Sequence, residues 1–108
     1  MELVEDDAVT GKANLEKLAA PYDRVLYIGI SVGLWAPYVA GQLDVANNNK
    51  DKYLPVVIGF NPPHLARDAP IKDFDKTFRS IVLDMEKNGE MLITPVIMVR
   101  TLDFSNIY

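Results

Sequence analysis

The stretch Arg24-Val25-Leu26-Tyr27-Ile28-Gly29-Ile30, followed at once by Ser31-Val32-Gly33-Leu34-Trp35-Ala36-Pro37, decides the fold. Arg24 opens a run of β-branched and aromatic residues without polar alternation, which predicts a strand buried on both faces. The small residues after it predict a loop. Pro37 suits the first turn of a helix, where its missing N–H has no partner to lose. That helix is expected to run to about Asn47, with Val39, Ala40, Leu43 and Ala46 on one side and Asn47-Asn48-Asn49 stopping it.

The same alternation continues on both sides. Upstream, Ala8, Leu15, Leu18 and Ala19 recur at helical spacing over residues 8–20, with Asp6 or Asp7 placed to cap the start and Pro21 after the end. Gly11 is an unfavourable residue inside that helix. Downstream, Tyr53 to Phe60 reads as a second strand with Pro55 near its start, and Asn61-Pro62-Pro63 breaks it. Asp73 reads as an N-cap for a helix whose apolar positions are Phe74, Phe78, Ile81, Val82 and Met85, ended by Asn88-Gly89. Met91 to Val99 forms a third apolar run interrupted by Pro95. The order α-β-α-β-α-β predicts an α/β layer structure with a parallel sheet.

Composition bounds the function. The chain has 108 residues, 49% hydrophobic and 24% charged, as in an ordinary folded domain. With no Cys there is no disulfide framework, no thiolate metal site and no Cys nucleophile. A single His, His64, excludes a multi-histidine metal site, and in its Pro-rich loop it reads as a surface residue. A net charge of −4 disfavours nucleic acid as a partner. The start is acidic where targeting peptides are basic, and no apolar run reaches the roughly 18 residues needed to span a bilayer. No membrane association is expected, and an intracellular location, cytoplasmic or nuclear, is.

Ligands of open parallel sheets bind outside the carboxyl ends of the strands, which directs attention to the loops Ile30–Pro37 and Gly59–Pro63. In the first, backbone N–H groups can face an anion or a sugar oxygen, Ser31 adds a hydroxyl, and Gly33 either admits a ligand or merely allows a tight turn. The acidic start, Glu2-x-x-Glu5-Asp6, reads as a solvated terminus or as carboxylates for sugar hydroxyls. Trp35 reads as a lid or as packing, with packing favoured.

Longer words in the chain resemble a known family. Ile28-Gly29-Ile30-Ser31-Val32-Gly33-Leu34 and Ala36-Pro37-Tyr38-Val39-Ala40-Gly41-Gln42-Leu43-Asp44 are similar to the glucokinase regulatory proteins of the sugar isomerase (SIS) domain family. The likeness continues through Gly59-Phe60-Asn61-Pro62 and Thr77-Phe78-Arg79 and covers about residues 1–97, with 98–108 a divergent tail. It implies a partial SIS domain: an incomplete doubly wound parallel sheet within a three-layer sandwich. It also implies a regulatory, non-catalytic module without cofactor or metal. The implied ligand is fructose 6-phosphate or fructose 1-phosphate, and the implied partner is glucokinase or another sugar kinase. Carried over residue by residue, Glu5 accepts from sugar hydroxyls, and Ser31, Val32 and Gly33 hold the ligand. The related N-acetylmuramic acid 6-phosphate etherases share the acidic stretch but carry a Ser-Gly-Arg-Thr-Pro loop, unlike Gly33-Leu34-Trp35-Ala36-Pro37 here. A lyase with Glu5 or Glu2 as its acid/base is therefore the alternative. A further one is a truncated form inactive by itself. Trp35 departs from both patterns, where the regulators usually have a small polar residue.

Overall fold

The computed structural model describes residues 7–93. Glu2, Glu5 and Asp6 of the acidic stretch, the third apolar run beyond Ile93 and the tail 98–108 lie outside the described residues. The elements are α1 (Ala8–Ala19), β1 (Val25–Ile30), α2 (Pro37–Asn48), β2 (Tyr53–Ile58), a short 3-10 turn (Pro63–Leu65), α3 (Phe78–Lys87) and β3 (Met91–Ile93). The three strands pair in parallel in the order β1-β2-β3. Val25 lies beside Tyr53, Ile30 beside Ile58, and Ile58 beside Ile93. The described residues thus form an α/β structure on a three-stranded parallel sheet, as the alternation predicts. Pro55, a residue that normally weakens a central strand, pairs with Tyr27 at a level where β3 has not begun.

Asp7 caps α1. Its Oδ1 accepts from the Thr10 amide at 3.0 Å and its Oδ2 from the Thr10 hydroxyl at 2.6 Å. Gly11 in α1 is not a defect. A Cβ there would collide with the Tyr38 carbonyl oxygen, and one at Gly41 would collide with the Ala8 carbonyl oxygen. Two glycines, one from each helix, therefore let α1 and α2 touch backbone to backbone. Leu18, expected on the buried stripe of α1, is instead 73% exposed. The inward stripe is Ala8, Gly11, Leu15 and Ala19, and Leu18 falls outside it.

The third helix begins four residues later than the apolar spacing suggests. Asp73 is not its cap but a turn residue in the left-handed region, at φ 57°. Thr77 is the N-cap, exchanging hydrogen bonds with Ser80: the Ser80 amide donates to Thr77 Oγ1, and the Thr77 amide donates to Ser80 Oγ, each at 3.1 Å. Phe74 packs against the core from the preceding turn, so its spacing mimics a helical position. Gly89 at φ 74° follows the C-cap Asn88, as expected.

Leu43, Val57, Phe78, Val82 and Met85 are fully buried between the helices and one face of the sheet. On that face lie Tyr27, Tyr53, Val57 and Leu92. The other face of β1 is open among the described residues, with Leu26 60% and Ile30 64% exposed and Ile28 also exposed. The expectation that β1 is covered on both faces is corrected accordingly. Its continuous apolar run reflects two apolar faces, of which the described helices cover one.

Candidate functional site

At the carboxyl end of the sheet, the chain leaves β1 and turns over residues 31–36 into α2. Ala36, the N-cap of α2, offers no side-chain acceptor, and Pro37 follows. Ser31 braces the residues that lead into the helix: its Oγ accepts from the Trp35 amide at 3.0 Å and the Ala36 amide at 3.3 Å. The side chain is accordingly buried, at 7% exposure. Leu34 adopts φ 54°, an uncommon conformation for a leucine. It is held there by its own burial and by two backbone bonds. Its amide donates to the Ser31 carbonyl at 3.1 Å, and its carbonyl accepts from the Arg67 amide at 3.0 Å.

Every carbonyl of the loop has a partner. Val32 O accepts from the Phe60 amide at 2.7 Å, Gly33 O from Asn61 Nδ2 at 3.0 Å, and Trp35 O from Arg67 Nη1 at 3.4 Å. Ala36 O accepts from the Ala40 amide within the helix. The donor side differs. Ser31 N donates to Ile58 O at 3.0 Å, and the amides of residues 34–36 are paired as above. The amides of Val32 and Gly33 have no acceptor among the described residues. Gly33 is not crowded: a Cβ there would be in ordinary contact with Asn61 Nδ2 at 3.8 Å and Trp35 Cβ at 3.9 Å. The loop is thus a braced frame presenting two consecutive unpaired N–H groups, an arrangement that suits an anionic or hydroxyl oxygen.

Of the residues singled out in the sequence, Ser31, Val32 and Gly33 lie together in this frame, whereas Glu5 lies outside the described residues. Asn61 and Arg67 fasten the loop from the β2 side. Asn61 lies in the Gly59–Pro63 loop to which the sequence pointed, although it was not itself named as a site residue, and Arg67 was not assigned to the site. Tyr38 and Gln42, on the helix after the loop, have internal partners instead: Tyr38 Oη accepts from Asn14, and Gln42 Oε1 accepts from Tyr27 Oη at 2.8 Å. Burial, with a smaller contribution from Tyr38, pushes the Tyr27 phenol well above its ordinary range and keeps it neutral. Trp35 is not packed inside as expected. It is 57% exposed, with the Arg67 guanidinium 5.0 Å from its ring centroid.

The cavity directly beneath the loop is small, about 10 Å³, lined by Leu34, Val57, Gly59 and Asn61 among others. A wider open cleft of about 470 Å³ lies away from the strand ends, between α1 and the 73–75 turn. Its Asp44 is engaged by Lys76 in an ion pair. No group of three or more potential metal ligands occurs among the described residues, and no described helix is long and apolar enough to cross a membrane.

Comparison with known proteins agrees with this architecture. The family model "Glucokinase regulatory protein N-terminal SIS domain" matches residues 1–47, which hold α1, β1, the loop and most of α2. The human glucokinase regulatory protein is 51% identical over 89 residues, 82% of this chain and 14% of that protein. The mouse protein is 49% identical over the same shares, and the Xenopus laevis protein 45% identical over 80 residues, 74% of this chain and 13% of that protein. The chain therefore spans about one-seventh of the length of these curated relatives. Sequence and fold together make it a relative of the glucokinase regulatory proteins, carrying part of an SIS-type α/β domain.

Proposed function

We propose that this chain is a sugar-phosphate-binding regulatory module acting on a sugar kinase such as glucokinase. The observation that carries the reading is the pair of unpaired amides at Val32 and Gly33, held in a loop whose other backbone polar groups are already engaged. Such donors are preorganised, so a bound oxygen gains hydrogen bonds without first ordering the loop. The proposed ligand is fructose 6-phosphate or fructose 1-phosphate. Val32 and Gly33 donate their amides to it. Ser31, whose oxygen already accepts twice, has its hydroxyl proton left to give. Glu5 accepts from sugar hydroxyls. Residues 1–97 constitute the SIS portion. Regulation then follows from differential affinity: a ligand that prefers one conformer shifts the population, and that conformer binds or releases the kinase. The name borne by the relatives, that of a regulator, favours this over catalysis.

Calorimetric titration of the full chain with each fructose phosphate tests the reading. Binding of at least one is expected, weakened about tenfold or more by Glu5→Ala, the size of one lost charge-assisted hydrogen bond. No binding of either by the wild-type chain refutes it.

A further inference from the structure

Trp35 is the only tryptophan of the chain, and its placement is unusual in three respects. Its main chain is fixed at both ends, the amide on Ser31 Oγ and the carbonyl on Arg67 Nη1. The Arg67 guanidinium lies over the ring at 5.0 Å, within cation–π range. Arg67 is itself immobilised, with Nη2 donating to Pro70 O at 3.2 Å, its amide to Leu34 O, and its carbonyl accepting from the Arg79 amide at 2.8 Å. Yet the side chain is more exposed than buried. A large aromatic held this firmly, but left in solvent, is a preorganised contact surface. Its side chain leaves the same loop as the unpaired amides, two residues after Gly33, and a Cβ on Gly33 would lie 3.9 Å from Trp35 Cβ.

We propose that Trp35 is a specificity-determining residue: a rigid indole wall, braced by Arg67, on which the apolar C–H face of a sugar ring stacks while the Val32 and Gly33 amides take its oxygens. The inference rests on the sugar-phosphate reading above and adds what that reading lacks, a reason to prefer a cyclic sugar over any small phosphate ester. An aromatic face favours a flat, C–H-bearing ring, and an acyclic ester has no such face to present.

The test uses the full chain and two probes, fructose 6-phosphate and the acyclic glycerol 3-phosphate. Titration with fructose 6-phosphate is expected to change the emission of Trp35. Trp35→Ala is expected to weaken fructose 6-phosphate by about tenfold while changing glycerol 3-phosphate less than about twofold, and Trp35→Phe to restore most of the loss. Because the side chain is exposed, both variants should melt with the wild type, which separates recognition from folding. If fructose 6-phosphate binds but Trp35→Ala binds it equally well, or loses both probes by the same factor, the stacking wall is overturned and the sugar-phosphate reading stands. If the wild-type chain binds no sugar phosphate at all, both fall.

Discussion

Ser31 shows how one side chain can define a loop. Its hydroxyl oxygen accepts the amides of Trp35 and of the N-cap Ala36, the last two residues before the helix. Ser31→Ala leaves both N–H groups without that acceptor, and a loss of about 1–2 kcal/mol is expected in urea unfolding, the size of one or two lost hydrogen bonds. That a hydroxyl sits here, between a strand and a helix, is plain from Ser31-Val32-Gly33. That it bonds four and five residues ahead is not, because the geometry depends on Leu34 entering the left-handed region. Leucine gives no sign of doing so, and the cause is tertiary: its buried side chain and the Arg67 amide. The exposure of Trp35 was equally hidden, since an aromatic beside proline in an apolar stretch more often packs inward. Arg67, 32 residues further on, is what holds it out.

Helices and strands were more legible than their ends and their covering. The three helices and three strands follow from periodicity, but α3 starts at Phe78 because its capping box is Thr77 with Ser80, a weaker signature than one closed by Glu or Gln. The helix pair α1 and α2 yields two predictions. Gly41→Ala should raise intrinsic helix propensity by about 1 kcal/mol yet destabilise the protein by about 2 kcal/mol or more, because the new methyl meets the Ala8 carbonyl and the helices must separate. Thermal melting reads the sign directly. The second prediction concerns acid. Hydrogen bonds from the Thr10 hydroxyl and amide hold the Asp7 carboxyl below the ordinary aspartate range. A depressed pKa in the folded state means the cap contributes above the unfolded pKa, about pH 4, and is lost as pH falls through the folded value. Asp7→Asn should therefore flatten the acid limb of the melting-temperature profile and leave the neutral region little changed, since Asn also caps.

At the scale of the whole molecule, the described fold has one helical layer on one face of its sheet, and stability should divide along that plane. Leu43→Ala, on the buried side of α2, is expected to cost about 2–5 kcal/mol, whereas Ile30→Thr, on the open face, should stay within about 0.5 kcal/mol; chemical denaturation of the two variants checks the contrast. An apolar run such as Val25–Ile30 fixes the strand but does not reveal which face has a partner, so this asymmetry was not readable in advance. The 31–36 loop joins these parts, because its bonds reach β2 at Ile58, the turn after it at Phe60, and the segment leading to α3 at Arg67. In isotope exchange, the amides of Ser31, Leu34, Phe60 and Arg67 should share one slow opening, while Val32 and Gly33 in their midst trade protons with solvent freely. A ligand seated on the loop would silence those two sites first. The frame thus carries its own reporter: two fast-labelling positions in a protected neighbourhood, whose slowing measures occupancy without any added probe.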